Sequence, residues 1–211
     1  MQSILIRKAE AKDTKAIAEL LITSFPVEFK LIFGSRLEEG KRALIHYLCI
    51  EPVLEGLFVA THSEKVIGAL SFLFEDVRYA KLSIIRVFVK YMGIYRGLKS
   101  IILGSFIPPR IRRGECFFDF ICVSPQHRMR GVGKRLYRYA EKDIQNKIGH
   151  IFCFVKSSNI AARKLLRNVG FEETYIRKGL VNSYFSYNPW ILMEKHLGNH
   201  SQVTHVNSEL I

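Results

Sequence analysis

"VSPQHRMRGVGKRL", residues 123–136, is the stretch on which the reading of this chain turns. Two glycines, Gly131 and Gly133, stand one residue apart among Arg128, Arg130, Lys134 and Arg135. The apolar run "CFFDFICV" (116–123) before them reads as a strand. "GVGKRLYRYAEKDIQNKI" (131–148) reads as a helix with Val132, Leu136, Tyr139, Ala140 and Ile144 available for one face. A helix N-terminus has unpaired N–H groups and partial positive charge, and both favour an anion. Glycine lets a phosphate approach the backbone without meeting a Cβ. Strand, bare backbone, cations and helix in that order suit a pyrophosphate. The spacing is not that of the common nucleotide motifs. Leu136 stands where GxGxxG needs glycine, and Arg135 stands where GxxxxGK[ST] needs a hydroxyl.

Working outward, strands and helices alternate. "HIFCFV" (150–155) is a strand, "NIAARKLLRNVGF" (159–171) a helix stopped by Gly170, and "FEETYIRKG" (171–179) and "PWILMEKHL" (189–197) two closing strands. Towards the N-terminus, "SILIRKAEAKD" (3–13) is a first strand and turn. Asp13 can cap the helix "TKAIAELLITSF" (14–25), which Pro26 ends, and a second helix is expected near "LEEGKRALIHYLCI" (37–50). "GLFVATHSEKVIGALSFLF" (56–74) carries a hairpin signal around His62 to Lys65. The pattern is α/β, with parallel pairing in the C-terminal half and a mixed sheet overall.

Composition narrows the function. A length of 211 residues suits one domain with an insertion. The expectation is a single domain over 1–198 with an insertion at 78–113 and a flexible tail at 199–211. The start "MQSILIRKAEAKD" turns charged too early for a secretory signal. Four cysteines, Cys49, Cys116, Cys122 and Cys153, are scattered without a CxxC pair, and three lie in strand-like runs. Reduced core thiols in a cytoplasmic protein follow, rather than disulfides or zinc. His196 and His200 are helically spaced but fall where the fold ends, so no metal site is expected.

The net charge of +13 is unevenly placed: residues 77–114 hold nine Lys or Arg and no Asp or Glu. Anionic partners are implied, whether phosphates, an acidic substrate, nucleic acid or a lipid surface. Apolar residues in 78–107 recur near a helical period, with Gly93 and Gly97 suggesting a kink or two helices. The run is too interrupted for a membrane span, and either a helical cap or an interfacial helix fits it. No nucleic-acid recognition motif appears.

"VSPQHRMRGVGKRL" resembles the acyl-CoA-binding motif of the GNAT superfamily of N-acetyltransferases, V-x-P-x-x-[RQ]-x-x-G-x-[GA], through Val123, Pro125, Arg128, Gly131 and Gly133. "NIAARKLLRNVGF" resembles that family's N-x-x-A-x-x-L-x-x-x-x-G-F helix, through Asn159, Ala162, Leu165, Gly170 and Phe171. The resemblance implies a mostly antiparallel sheet of six to seven strands with a central splayed parallel pair, helices on both faces and a helical insertion before the cofactor-binding strand. It implies acetyl-CoA as co-substrate. The binding set would be Ile121, Cys122 and Val123 along the pantetheine arm, Arg128, Met129, Arg130, Gly131, Val132, Gly133 and Lys134 around the pyrophosphate, and Asn159 and Ala162 near the thiol end. Asn159 also reads as a simple helix cap. The activity implied is transfer of an acetyl group to a primary amine on a small molecule or peptide.

For catalysis, the resemblance points to the Val123 N–H as oxyanion donor and to Asp119 as base. Burial in an apolar strand would raise the pKa of Asp119 to a useful value, whereas pairing with an arginine or exposure to water would leave it inert. Glu115 and Glu75 are weaker candidates. The sequence departs from the family where many relatives carry a tyrosine acid: that position is Leu166. Tyr175 and Tyr184 on the closing strands are substitutes. The departure leaves a non-catalytic acyl-CoA-binding module open, and the basic segment 78–113 leaves open a protein docked through it to nucleic acid or an anionic lipid surface.

Overall fold

The computed structural model of the chain describes residues 3–104, 106, 109–177 and 189–198. Strand β1 (Leu5–Lys8) leads to α1 (Thr14–Ser24), α2 (Pro26–Phe33), α3 (Leu37–Leu48) and the single turn α4 (Glu51–Leu54). The hairpin β2 (Leu57–His62) and β3 (Lys65–Leu73) follows, then the insertion helices α5 (Lys81–Met92) and α6 (Ile94–Gly104). The C-terminal half runs β4 (Glu115–Val123), α7 (Val132–Ile144), β5 (His150–Lys156), α8 (Ile160–Asn168), β6 (Glu172–Arg177) and β7 (Trp190–His196).

The strands form one seven-stranded sheet in the order β1-β2-β3-β4-β5-β7-β6. Every pairing is antiparallel except β4 with β5. This is the expected mixed sheet with a central parallel pair. β7 returns between β5 and β6, so the last two strands pair with each other out of chain order. The tail at 199–211 and Tyr184 lie outside the described residues.

Each face of the sheet buries its own core, because side chains alternate along every strand. On one face Ile17, Leu21, Leu44, Leu48, Ile84 and Phe88 pack over Val59, Ala69 and Leu73. On the other, Leu136, Tyr137 and Ala140 of α7 and Leu166 of α8 pack over Phe72, Phe118 and Ile151. α7 can lie there because its buried residues, Val132, Leu136, Tyr137, Ala140 and Ile144, recur every three or four positions.

Two local expectations are corrected. Pro26 does not only end α1; it opens α2, where its fixed φ and missing N–H cost nothing at a first helical position. Asp13 precedes α1 without a side-chain cap. Its carboxylate instead takes a two-pronged bond from Arg7 (2.7 and 3.0 Å) and the Glu10 amide (2.8 Å). The Arg7 hydrogen bonds hold this carboxyl below the usual aspartate range.

The insertion is two helices joined at Gly93, packed as a layer over α2 and α3. Phe88 and Phe106 stack at 4.4 Å and both reach the ring of Tyr47 on α3. Gly97 sits where α6 crosses α5: a Cβ there would stand 2.9 Å from backbone atoms of Phe88 and Val89. Backbone cannot yield as a side chain can. Gly97→Ala is therefore expected to destabilise the fold by about 1–3 kcal/mol, read by urea denaturation, because the helices must separate.

Candidate active site

The parallel ladder between β4 and β5 is short. It pairs Glu115 with His150, Cys116 with Ile151 and Phe117 with Phe152, and stops. β4 runs on to Val123 and β5 to Lys156, so a cleft opens between their C-terminal ends. The departure coincides with a β-bulge. Ser71 of β3 faces Phe120 while its neighbour Phe72 faces Phe118, so Asp119 is the extra residue. A bulge bends its strand and sharpens its twist. It also resets the alternation: Cys116 and Phe118 face the α7 core, and past the bulge Ile121 and Val123 do so, while Phe117, Phe120 and Cys122 face the α1–α3 core.

The hydrogen-bond pattern decides which amides look into the cleft. Ser124 N–H donates to the Ile67 carbonyl at 2.8 Å, spanning the facing pair Gly68 and Val123. In an antiparallel ladder that makes Gly68–Val123 a non-hydrogen-bonded pair. The polar groups of Val123 and Ile121 therefore point away from β3, towards the gap, while those of Cys122 are spent on Ala69. Burial pushes the Cys122 thiol up to about 12, which leaves it an unreactive packing group.

The glycine loop continues from this edge. The Arg128 amide donates to Pro125 (3.3 Å) and its Nε to the Val123 carbonyl (2.9 Å), tying the loop to the end of β4. Met129 (φ 58°) and Gly131 (φ 75°) are both left-handed, and Gly131 precedes α7 with no side-chain cap. Among the described residues the amides of Val132, Gly133 and Lys134 meet no acceptor. A Cβ on Gly131 would project into open space, whereas one on Gly133 would touch Leu165, Ile121 and Val123 at 3.5–3.8 Å. Arg128, Met129 and Arg130 are exposed and Lys134 half-buried. No acidic side chain among the described residues pairs with the three cations, so their charge is uncompensated. The loop has unpaired donors, free cations and a cradle a side chain would fill, which is what a diphosphate requires.

On the opposite wall, Asn159 caps α8: its Oδ1 accepts the Ala162 amide at 3.1 Å. Its side-chain NH2 is exposed and uncommitted among the described residues. Ala162 packs half-buried under α8 and Leu166 is buried. Tyr175 is not brought to this cleft. It stands on β6, with β7 and β5 between it and β4, roughly 14 Å away at ordinary strand spacing, and is 63% exposed. Glu115 is also remote, at the far end of β4, accepting the Arg112 amide at 2.9 Å.

Asp119 is enclosed on the α1–α3 side of the sheet but keeps some accessible surface, as a residue on a cleft floor does. No cation or hydrogen-bond donor among the described residues reaches its carboxylate. Burial alone pushes its pKa up to about 7. Around it are groups that sequence reasoning did not find. The Tyr47 phenol, wholly buried, is pushed up first by burial and then by the charge of Asp119. The hydroxyl of Ser71, across the bulge, is buried with no partner. Lys156, ending β5, bonds Glu28 of α2 at 3.0 Å and so links the C-terminal end of β5 to the helical layer. Only the bulge register could have revealed Ser71 and Tyr47, since neither lies near Asp119 in sequence.

Residues 14–171 match the family model described as the acetyltransferase (GNAT) family. No curated protein matches the chain. Solved structures do. An acetyltransferase is 19% identical with a TM-score of 0.66, over 92% of this chain and 99% of its own. The ribosomal-protein-S18-alanine N-acetyltransferase from Escherichia coli is 15% identical with a TM-score of 0.60, over 97% of this chain and 100% of its own. The yncA protein from Salmonella typhimurium, solved with its cofactor acetyl-CoA, is 15% identical with a TM-score of 0.58, over 97% of this chain and 99% of its own. At these identities the likeness is one of fold.

The buried carboxyl has a consequence for stability. Its folded pKa of about 7 lies above the ordinary 3.8, so the folded state holds a proton that the unfolded state releases. Its contribution is complete below about pH 4 and disappears as pH rises through about 7. Asp119→Asn should match the parent at acid pH and become the more stable protein above neutrality, as urea denaturation across pH would report.

Proposed function

Because the chain belongs to the acetyltransferase (GNAT) family, we propose that it moves the acetyl group of acetyl-CoA to a primary amine by direct attack, with residues 1–198 acting as one catalytic domain. The observation that carries this reading is the parallel ladder that ends at Phe117 and Phe152, with bare amides of Ile121 and Val123 and the open head of α7 beside it.

Acetyl-CoA supplies an activated acyl group as a thioester. Amides of Met129 to Lys134 hold its diphosphate, with Arg128, Arg130 and Lys134 adding charge-assisted bonds. The polar edge of Ile121 and Val123 pairs with the pantetheine arm as an added strand would, and the Asn159 NH2 reaches it from the far wall, beside Ala162. The Val123 amide donates to the oxyanion that develops at the thioester carbonyl.

An alkyl amine of pKa about 10 is nearly all protonated at neutral pH and cannot attack until it loses that proton. Asp119, poised near neutrality, takes it directly or through a water held by the Ser71 hydroxyl. The C–N bond forms and the C–S bond breaks. The departing thiolate takes its proton from water, since Leu166 has none to give and a thiol of pKa about 8.5 is a tolerable leaving group. The acceptor is a small amine or a peptide N-terminus rather than a polycation, which a net charge of +13 repels. Free, buried Cys116, Cys122 and Cys153 fit a reducing compartment, so we place the activity in the cytoplasm.

One observation favours a second reading, a non-catalytic acyl-CoA-binding module: Leu166 is buried and apolar where relatives carry an acid. Release of free CoA thiol across an amine panel separates the two readings. The transferase reading expects release with at least one small amine or peptide and less with spermine than with the best acceptor.

Two variants test the roles. Gly131→Leu places a side chain in the diphosphate cradle, so coenzyme affinity by titration calorimetry should fall about tenfold or more, a loss of about 1.4 kcal/mol. Asp119→Asn should lower kcat/KM by about a hundredfold or more and abolish the limb of the pH profile that rises near 7 in the parent.

A further inference from the structure

Helix α6 is built inside out. Its inner face is Gly97, Ser100 and Ile101, with Ser100 donating to the Ile32 carbonyl of α2 at 3.0 Å. Its outer face is Tyr95, Leu98, Lys99 and Ile102, spaced at i, i+3, i+4 and i+7, so these side chains line one surface. Tyr95 is 79% exposed, Leu98 42% and Ile102 66%, and Leu82 on α5 is 66% exposed. A surface helix with no partner carries the reverse pattern. The charge is as one-sided as the apolar content. The segment 77–114 holds nine Lys or Arg and no acid, and Lys81, Arg86, Lys90, Arg96 and Lys99 are all exposed.

We propose that the outer face of the α5–α6 layer docks on an anionic lipid surface, with Tyr95, Leu98 and Ile102 entering the headgroup boundary and the surrounding cations meeting lipid phosphates and carboxylates. The apolar and cationic groups have to be satisfied together, and this surface does so. A second copy of the chain would cover the apolar side chains but set the cations of α5 and α6, Lys81, Arg86, Lys90, Arg96 and Lys99, against their own copies across a two-fold axis. Nucleic acid would match the charge but leave leucine and isoleucine against phosphates. Docking is peripheral: no helix among the described residues is long and apolar enough to cross a membrane.

Flotation of the full chain with two vesicle types tests this, one of phosphatidylcholine alone and one with about a third phosphatidylserine. The chain should float only with the anionic vesicles, and the bound fraction should fall about tenfold between ~0.05 and ~0.5 M salt. Leu98→Ser/Ile102→Ser should lose about fivefold or more of the binding while keeping the parent's melting temperature and circular dichroism, because both side chains already face water. Lys90→Glu/Lys99→Glu should lose it as well. Equal flotation with neutral vesicles, or none with either, overturns the proposal. So does RNA binding untouched by the Leu98→Ser/Ile102→Ser change, or a dimer that this change dissolves in the absence of lipid.

Discussion

The central constraint on this molecule is a sheet whose middle ladder is left unfinished. Two parallel strands pair for three residues and part where β4 carries one residue too many opposite β3. Strand polar groups are obligate hydrogen-bonders, so an interior strand edge without a partner requires something else to bond it. In an acetyltransferase of this family a bound thioester arm can be that partner. The same bulge makes Asp119 the extra residue of β4, so a single added residue both bends the strand and sets the position of the proposed base.

Electrostatics divide the site into two regimes. At the head of α7 Arg128 and Arg130 face solvent and no acidic partner is found for them or Lys134 among the described residues, a field that draws an anion and costs little to maintain in water. A short distance along β4 sits the Asp119 carboxylate, which no cation among the described residues reaches and where burial works against its charge. Keeping the cations of the loop away from Asp119 is what lets the group stay near neutrality; an arginine within bonding distance would pull it back into the ordinary carboxylate range. Asp13 is the contrast within the same chain: an aspartate also withdrawn from solvent, but clamped by Arg7 and held low.

The insertion repeats this separation at larger scale. Phe88 and Phe106 point inward to Tyr47, whose phenol feels the charge of Asp119, so the inner side of the insertion is continuous with the helical layer beside that carboxyl. Lys81, Arg86, Lys90, Arg96 and Lys99 point outward together with Leu82, Ile94, Leu98 and Ile102. Under the two proposals made above, this layer joins the catalytic side of the molecule to its docking side.

Much of this is legible in the sequence. The two spaced motifs identified the fold, the alternating C-terminal elements gave the parallel pair, and Gly131, Gly133 and their cations marked the anion loop, because these depend on local backbone chemistry and short periodicities. Val123 and Ile121 are named by the family resemblance, and the ladder places their polar groups on the side of β4 away from β3. Helix α2 was missed because a proline that stops one helix can start the next, and only packing of Phe29 and Phe33 distinguishes the outcomes. Tyr175 reads as a neighbour of the site in sequence, but β7 folds back between β5 and β6 and carries that strand away. Ser71 and Tyr47 come to Asp119 from β3 and α3, and α6 turns its apolar side out, through contacts distant along the chain. Residue type and spacing determined the order of elements and the glycine-bearing, cationic turn before α7. Which carboxylate lost its partners and which helix face was left bare were decided only by tertiary packing, because burial and pairing are properties of neighbours that the linear order does not contain.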